Sequence, residues 1–446
     1  MSTSLRQIAV VLFGIGFSAS LAIAQSSISG VVRDTSGAVM AGVSVEAASP
    51  ALIERVRTVT TDNEGRYAVV DVRPGGYTMT FSLQGFSSVR RQVEVPSNIT
   101  VPVDAEMRVG AVGETVEVSA TVATVDVENA ARPSVLSRED MDSLPTARNP
   151  QSMGSYVPGV HMNTPDVGGS MQVQQTYISA HGNAPHNTSY VLDGMFVNTT
   201  QNDGQIQTYI DNEIVQETTY QTNNVGADVQ AGGVLVNMIP KDGGNQFHSD
   251  VFLAYVGSGF VGSNVTDTLK ARNLTGQSAV NKINDFDGSL GGPLKRDKLW
   301  FLTTGRYQRS DLQSPGSFYK DGSPGIEKDW IWTGTGRLTY QATPKNKFAL
   351  MWTRDWKTIK ADIVSGAGGY NDTDPDIASL HREPVMYYIL QTRWTGTLTP
   401  KLIFQAGYSF NKLDYAVTYQ PGIQKTPFTP EWYAQVSKLE IGRAHV

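Results

Sequence analysis

The chain contains no cysteine among its 446 residues, which excludes a disulfide framework, a zinc site with thiolate ligands and a cysteine nucleophile. Its formal net charge is −6, from 36 basic and 42 acidic residues, so bulk electrostatics do not indicate a nucleic-acid partner. No phosphate loop, nucleophile elbow or paired-carboxylate motif stands out, and neither His-x-x-Glu nor His-Glu-x-x-His occurs. The sequence therefore predicts no catalytic residue, no metal site and no cofactor.

The N-terminus has the pattern of a secretory signal. Arg6 precedes the apolar run Ile8–Ala24, and small residues come before Gln25. We expect residues 1–24 to be a signal peptide that is cleaved between Ala24 and Gln25. A signal anchor is the alternative, but the apolar core is short for a spanning helix. No later stretch of 18 apolar residues occurs, so a mature chain that crosses a membrane must do so as a closed β-barrel.

Residues 25–107 contain short β-prone runs separated by turn-forming residues. Asp, Asn and Gly at these turns supply the side-chain acceptor and the positive φ that tight connections need, which predicts a small all-β sandwich. The motifs G-V-V-R-D-x-S-G, T-D-x-E-G-R-Y and P-G-G-Y resemble the carboxypeptidase regulatory-like domain. That resemblance implies an immunoglobulin-like or prealbumin-like sandwich with a carbohydrate-binding-like fold, and an accessory role instead of a peptidase.

Residues 108–135 form a linker, and within it one segment alternates β-formers with polar residues. A segment of this kind is suited to pairing with a sheet edge. It resembles the TonB box of outer-membrane transporters, which in that family pairs with a strand of TonB. A linker strand and the last strand of the sandwich are the alternatives. The candidate residues are Glu114, Thr115, Val116, Glu117, Val118, Ser119 and Ala120.

Residues 136–243 are rich in Asn, Gln, Thr and Gly, with short apolar bursts. Four segments resemble the plug domain of TonB-dependent receptors, in the order in which the family has them. They are Val157–Val160, Tyr177–Gly182, Tyr190–Asn198 and Gly232–His248. The resemblance implies an α+β plug, a tight turn at Asp193–Gly194 and, in the last segment, the exit from the plug into a barrel.

Residues 244–439 contain long alternating segments, and all seven Trp lie between Trp300 and Trp432. Apolar residues with aromatics near the ends face one side of each strand, as in Leu402, Phe404, Ala406, Tyr408 and Phe410. This pattern is typical of a strand between lipid and a wet lumen. A soluble sandwich also alternates, but the preceding plug and signal favour the first strands of a transmembrane antiparallel β-barrel. Gly288–Pro293 and Lys298–Phe301 also resemble early hairpins of Oar-like transporters.

We find roughly seven candidate barrel strands, whereas plugged transporter barrels use about 22. We therefore expect the chain to be the N-terminal portion of a longer protein. Residues 440–446 resemble the translation of a sequencing-library adapter, and we expect them to be an artefact.

Substrate-binding candidates are sparse. His161, His181 and His186 fall in plug segments that we expect to face the outer vestibule, and Asp203 lies in a polar loop. Ordinary plug or loop residues are the alternative for all four. The run Asp372–Asp376 is acidic but lacks the register of an EF-hand.

Together these features predict a mainly β, non-enzymatic protein of the cell outer membrane with its sandwich in the periplasm. The function that the resemblance implies is TonB-dependent uptake of a nutrient, such as a glycan or another oligomeric substrate. The implied partners are TonB with its inner-membrane energising complex, outer-membrane lipid, and a small-molecule, glycan or peptide substrate, with no nucleic acid. An adhesin or secretion-related surface receptor is the alternative, and the missing ligand motif argues against a zinc peptidase.

Overall fold

The structure is a computed structural model. It describes residues 26–52, 55–95, 100–110, 115–118, 133–164, 166, 168–174, 176–199, 204–206, 208–223, 232–263, 265–272, 279–362, 375–376, 380–399, 402–416, 418–419 and 429–431. The predicted signal peptide, its cleavage site between Ala24 and Gln25, and residues 440–446 lie outside these ranges.

Nine strands form an N-terminal sandwich of two sheets. One sheet has the order β4-β1-β7, with β8 also on β1, and the other has the order β3-β2-β5-β6-β9. The strands are β1 (Ser26–Asp34), β2 (Ser44–Ala48), β3 (Val56–Thr60), β4 (Arg66–Val72), β5 (Gly75–Ser82), β6 (Ser88–Val95), β7 (Thr100–Pro102), β8 (Ala105–Met107) and β9 (Thr115–Val118).

The two sheets bury alternate side chains against each other, as the sequence predicted. Tyr67 of one sheet meets Phe81 of the other, edge to face, with 5.5 Å between ring centroids. Predicted turns also form as expected: the Asp62 carboxylate accepts hydrogen bonds from the backbone N–H groups of Glu64 and Arg66, each at 2.9 Å. Gly65 has a φ of 69° there, a value that glycine adopts without steric cost.

The middle of the chain forms a second, mixed unit, which we call the plug. Its main sheet has the order β10-β15-β16-β13-β14, with β13 and β16 parallel, and β11 pairs with β12. Its elements are β10 (Ser134–Ser137), α1 (Arg138–Ser143), α2 (Pro150–Gly154), β11 (Val160–Met162), β12 (Ile178–Ala180), β13 (Ser189–Leu192), β14 (Met195–Phe196), β15 (Val215–Gln221) and β16 (Leu235–Pro240). Short 3-10 helices span Pro185–Asn187 and Asn212–Ile214.

The last described third of the chain forms one antiparallel sheet, which we call the wall. Strands β17 to β23 follow one another in order, and β24 pairs with β22. The elements are β17 (His248–Gly257), a 3-10 helix (Ser258–Phe260), α3 (Asp267–Ala271), β18 (Ala279–Lys295), β19 (Leu299–Phe318), β20 (Pro324–Thr343), β21 (Asn346–Asp362), β22 (Leu380–Thr399), β23 (Leu402–Tyr415) and β24 (Thr418–Tyr419).

The wall has two unlike ends. At the short-turn end, β18–β19, β20–β21 and β22–β23 are joined by three residues or fewer, whereas longer connections join most strands at the opposite end. The sandwich lies at the short-turn end, because β3 and the turn residues Asp297 and Lys345 line the same cleft. No helix among the described residues is long and apolar enough to cross a membrane.

The wall's two faces alternate in polarity. On β20, Trp332, Leu338 and Tyr340 are exposed, while Thr335 and Arg337 face inward and are buried. Successive side chains of a strand point to opposite faces, so this alternation gives the wall an apolar outer face and a polar inner face. The plug packs on the inner face.

Glu217 is a buried acid in the plug sheet. The residue is 5 % exposed, and its Oε1 has no hydrogen-bond partner within the part of the chain that the structure describes. Burial raises the pKa of its carboxyl to about 8, although the charge of Arg73 opposes that shift.

Glu217→Gln should remove a pH-dependent cost of folding. Since the folded pKa is higher than the unfolded one, folding is not penalised near pH 4 and becomes increasingly penalised as pH rises to about 8. We expect the variant and the parent to unfold at the same temperature at pH 4, and the variant to unfold a few degrees higher at pH 9. Differential scanning calorimetry in detergent measures both, with the exposed Glu106→Gln as control. Equal unfolding temperatures at pH 9 would contradict the burial argument.

Candidate functional site

The most densely charged part of the structure is the contact between the plug and the wall. Strands β13 and β14 are joined by a two-residue turn in which Asp193 and Gly194 have φ values of 52° and 82°. Positive φ at both positions is the geometry of a tight hairpin turn. The turn directs the Asp193 carboxylate at two inward-facing arginines of the wall, Arg337 and Arg393.

Arg337 connects two plug aspartates. Its Nη1 donates to Asp193 at 2.7 Å, and its Nε donates to Asp242 at 2.9 Å. Arg393 donates to the other oxygen of Asp193 at 3.0 Å, and the Thr339 hydroxyl donates to Asp242 at 2.7 Å. The two aspartates, Arg337 and Arg393 are all buried in the structure. These four residues form what we call the central charge cluster.

The electrostatics keep both aspartates ionised. Burial by itself raises the pKa of the Asp193 carboxyl, but Arg337 and Arg393 outweigh burial and hold the pKa below its ordinary value. The pKa of Asp242 lies well below its ordinary value, because Arg73, Arg337 and Lys347 outweigh its burial. The cluster is therefore a set of paired charges at neutral pH, and none of its members is poised as an acid or a base.

Asp242 lies where the chain leaves the plug and enters the wall. The next residue, Gly243, passes so close to the wall that a Cβ there would lie 2.0 Å from the Phe301 carbonyl oxygen. Only glycine fits at that distance, so the exit segment has a steric reason for Gly243. The close approach brings Asp242 within reach of Arg337.

A second group of charges lies beside the central cluster. Glu213 of the plug accepts a hydrogen bond from Arg148 at 2.6 Å and another from Lys241 at 3.3 Å. Arg306 of the wall makes a bidentate pair with Asp285, at 2.8 and 2.6 Å, and also donates to the Arg148 carbonyl at 3.0 Å. Of these bonds, the one from Arg306 to the Arg148 carbonyl joins the wall to the plug, and it is charge-assisted and so stronger than a neutral bond.

Polar contacts continue toward the long-connection end. Gln172 donates to the Asn284 carbonyl at 3.0 Å, and Gln174 donates to Glu327 at 2.6 Å. Lys357 donates to the Tyr209 hydroxyl at 2.7 Å. The plug is therefore fastened to the wall along its height through polar side chains.

The histidines predicted as substrate contacts do not converge on one another. His161 is on β11, His181 follows β12 in a left-handed turn with a φ of 53°, and His186 is in the 3-10 helix after it. All three are exposed. Within the described ranges, no group of three or more metal-ligating side chains is found. Asp203 lies outside those ranges, so the substrate roles of all four residues stay predictions.

The centre of the TonB-box candidate is part of the sandwich. Thr115–Val118 forms β9, which pairs in parallel with β6 at the edge of the larger sheet, and Val116 is opposite Val89. This is one of the alternatives that the sequence left open, the last strand of the sandwich. Glu114, Ser119 and Ala120 lie outside the described residues, and the use of the segment by TonB stays a prediction.

Sequence reasoning missed the charged cluster. Asp193–Gly194 was expected to be a turn, which is correct, but its ion pairs were not anticipated. Arg337 and Arg393 stand at inward positions of amphipathic strands. These inward positions could have predicted acidic partners, because an arginine that faces the inside of a protein needs one.

Two family models match the chain. The carboxypeptidase regulatory-like domain matches residues 27–108, and the TonB-dependent receptor plug domain matches residues 126–234. The TonB-dependent transporter Oar of Myxococcus xanthus is 29% identical over 302 residues. The match covers 67% of this chain and 28% of that relative, so the chain spans little more than a quarter of the relative's length.

Solved structures that align with the chain include a transporter and a receptor. The outer membrane transporter YddB from Escherichia coli aligns with a TM-score of 0.46 and 16% identity, over 62% of this chain and 38% of that one. The siderophore receptor PirA from Pseudomonas aeruginosa aligns with a TM-score of 0.41 and 15% identity, over 64% and 41%.

The plug model and the relative are those of a receptor and a transporter, not of enzymes. The chain is therefore homologous to the TonB-dependent transporter Oar, and it joins a carboxypeptidase regulatory-like sandwich to a TonB-dependent receptor plug and the first strands of a barrel.

Proposed function

We propose that the full-length protein takes up a nutrient across the outer membrane, and that TonB drives this uptake by moving the plug. The observation that carries the proposal is the central charge cluster, in which a plug turn is held by two buried arginines of the wall. Asp193 and Asp242 of the plug are paired with Arg337 and Arg393 of the wall. These pairs must all separate before the plug can move, and we infer that TonB supplies the mechanical work.

The proposal orients the chain in the membrane. Bacterial outer-membrane barrels have short turns on the periplasmic side and longer loops outside. The short-turn end of the wall, where the sandwich lies, would then be periplasmic, and the long-connection end would be extracellular. This orientation puts the sandwich and Glu114–Ala120 on the side where TonB and its inner-membrane energising complex act.

The substrate class is inferred from the sandwich. The sandwich's resemblance to a carbohydrate-binding-like fold supports a glycan or another oligomeric substrate. We propose that the substrate binds at the long-connection end and at the adjoining plug surface. His161, His181, His186 and Asp203 remain the proposed contact residues.

The alternative function is an adhesin or a secretion-related surface receptor with the same architecture. Such a protein needs its outer surface but not a moving plug. The two functions therefore differ in whether they require the segment that TonB would pull.

Deleting Glu114–Ala120 from the full-length protein should abolish uptake and leave substrate binding at the cell surface intact. TonB would lose its strand partner, while the long-connection end would be unchanged. Cells that carry the deletion are compared with parent cells for growth on the nutrient and for retention of labelled substrate at the surface. A shuffled seven-residue segment of the same composition controls for linker length.

Undiminished uptake in the deletion strain would contradict TonB-driven transport. If surface attachment also persisted, the adhesin or secretion-related function would be favoured.

Asp193→Asn should loosen the plug. The substitution removes the charge that pairs with Arg337 and Arg393, and removing one partner of a buried ion pair costs about 3–5 kcal/mol. We expect the plug transition in thermal unfolding to move down by several degrees while the barrel transition stays unchanged. Asp267→Asn is the matched control, because Asp267 forms its ion pair with Lys270 in full exposure. Unfolding of Asp193→Asn at the parent temperature would show that the cluster does not hold the plug.

A further inference from the structure

Arg73 is a sandwich residue with its side chain in the plug. It follows β4, and only 6 % of the residue is exposed. Its guanidinium donates to the Pro240 carbonyl at the end of β16 and to the Asp242 carboxylate. The side chains of this Arg73–Asp242 pair are 8 % and 3 % exposed. A charged side chain of one domain is therefore buried against another domain.

The backbone of Arg73 is fixed independently of its side chain. The Tyr77 hydroxyl donates to the Arg73 carbonyl at 2.6 Å, and Tyr77 belongs to the sandwich core. The sandwich thus presents the guanidinium from a rigid base. A substitution at position 73 that changes only the side chain leaves this internal contact in place.

The partner of Arg73 is shared with the wall. Asp242 accepts from Arg73, Arg337 and Thr339, and Lys347 lies 3.8 Å from it. Because Arg73 binds Asp242, the sandwich contributes a charge to the central charge cluster. The three parts of the chain therefore meet at one carboxylate.

Open clefts lie beside the contact that Arg73 makes with the plug exit. A cleft of about 600 Å³ beside Arg73 separates sandwich residues such as Leu52 and Arg55 from plug-exit residues such as Gln246. Another cleft, of about 580 Å³, lies between β3 and the wall turns. Between these clefts, Arg73 makes a direct polar contact from the sandwich to the plug exit.

We propose that the Arg73 side chain docks the sandwich on the plug exit, and that this contact restrains the plug for as long as the sandwich is docked. The restraint on plug movement rests on the proposed function, whereas the docking itself does not. Displacing Arg73 exposes Asp242 to water and weakens its hold on Arg337. On this proposal the sandwich regulates the movement of the plug.

The docking is tested on the full-length protein with two spin labels, one on the sandwich and one on a short turn of the wall. Thr35→Cys and Lys345→Cys are exposed positions, and no natural cysteine in these 446 residues competes for the label. We expect one narrow distance distribution in the parent. Arg73→Gln should lower the docked population at least about tenfold, in line with loss of a buried ion pair, and Arg73→Lys should retain part of it. Arg108→Gln, an exposed sandwich arginine, should behave as the parent.

Hydrogen exchange of β15 and β16 in the same variants tests the restraint. We expect exchange in Arg73→Gln to be about tenfold faster than in Arg108→Gln, because a freer plug opens more often. An unchanged distance distribution in Arg73→Gln would overturn the docking role of Arg73 and leave the proposed uptake function untouched. Undocking without faster exchange would overturn the restraint. Loss of uptake on deleting Glu114–Ala120 is independent of both results.

Discussion

The pairing of Arg337 with two plug aspartates is the contact on which the rest of the structure depends. Asp193 reaches Arg337 from a hairpin turn, and Asp242 reaches it from the plug exit. One wall residue thus fixes two separate points of the plug. In the folded chain the two aspartates compensate a wall charge that the plug covers and that would otherwise be buried without a partner.

Much of the contact between the plug and the wall is polar, although Leu302, Met351 and Ile389 of the wall pack with the apolar core of the plug. An apolar interface of the same size would gain its stability from excluding water, and separating it would expose apolar surface. Paired charges and amides can instead exchange their partners for water when the plug moves. Arg306 bonded to the Arg148 carbonyl, and Gln174 bonded to Glu327, extend the same chemistry along the interface. If TonB drives uptake as proposed, this chemistry lets the plug stay in place at rest and separate under force.

Local features of this fold were predictable from sequence, and contacts between distant segments were not. Alternation along β23 predicted the exposed face that carries Leu402, Phe404, Tyr408 and Phe410, and the Asp62 and Asp193 turns follow from Asn, Asp and Gly chemistry. Asp193 and Arg393, however, are 200 residues apart in sequence, and periodicity does not say which plug turn meets which wall strand. The pairing of β9 with β6 was likewise one of several alternatives, because a short β-prone segment fits any compatible sheet edge.

The force needed to release the plug tests the central claim most directly. A TonB domain on a cantilever is bound to full-length protein in a supported membrane and pulled until the plug unfolds. If buried charges hold the plug, the parent should show a plug rupture that precedes barrel unfolding, and Arg337→Gln should rupture at clearly lower force. Equal rupture forces in the parent and in Arg337→Gln would mean that something other than the central charge cluster retains the plug.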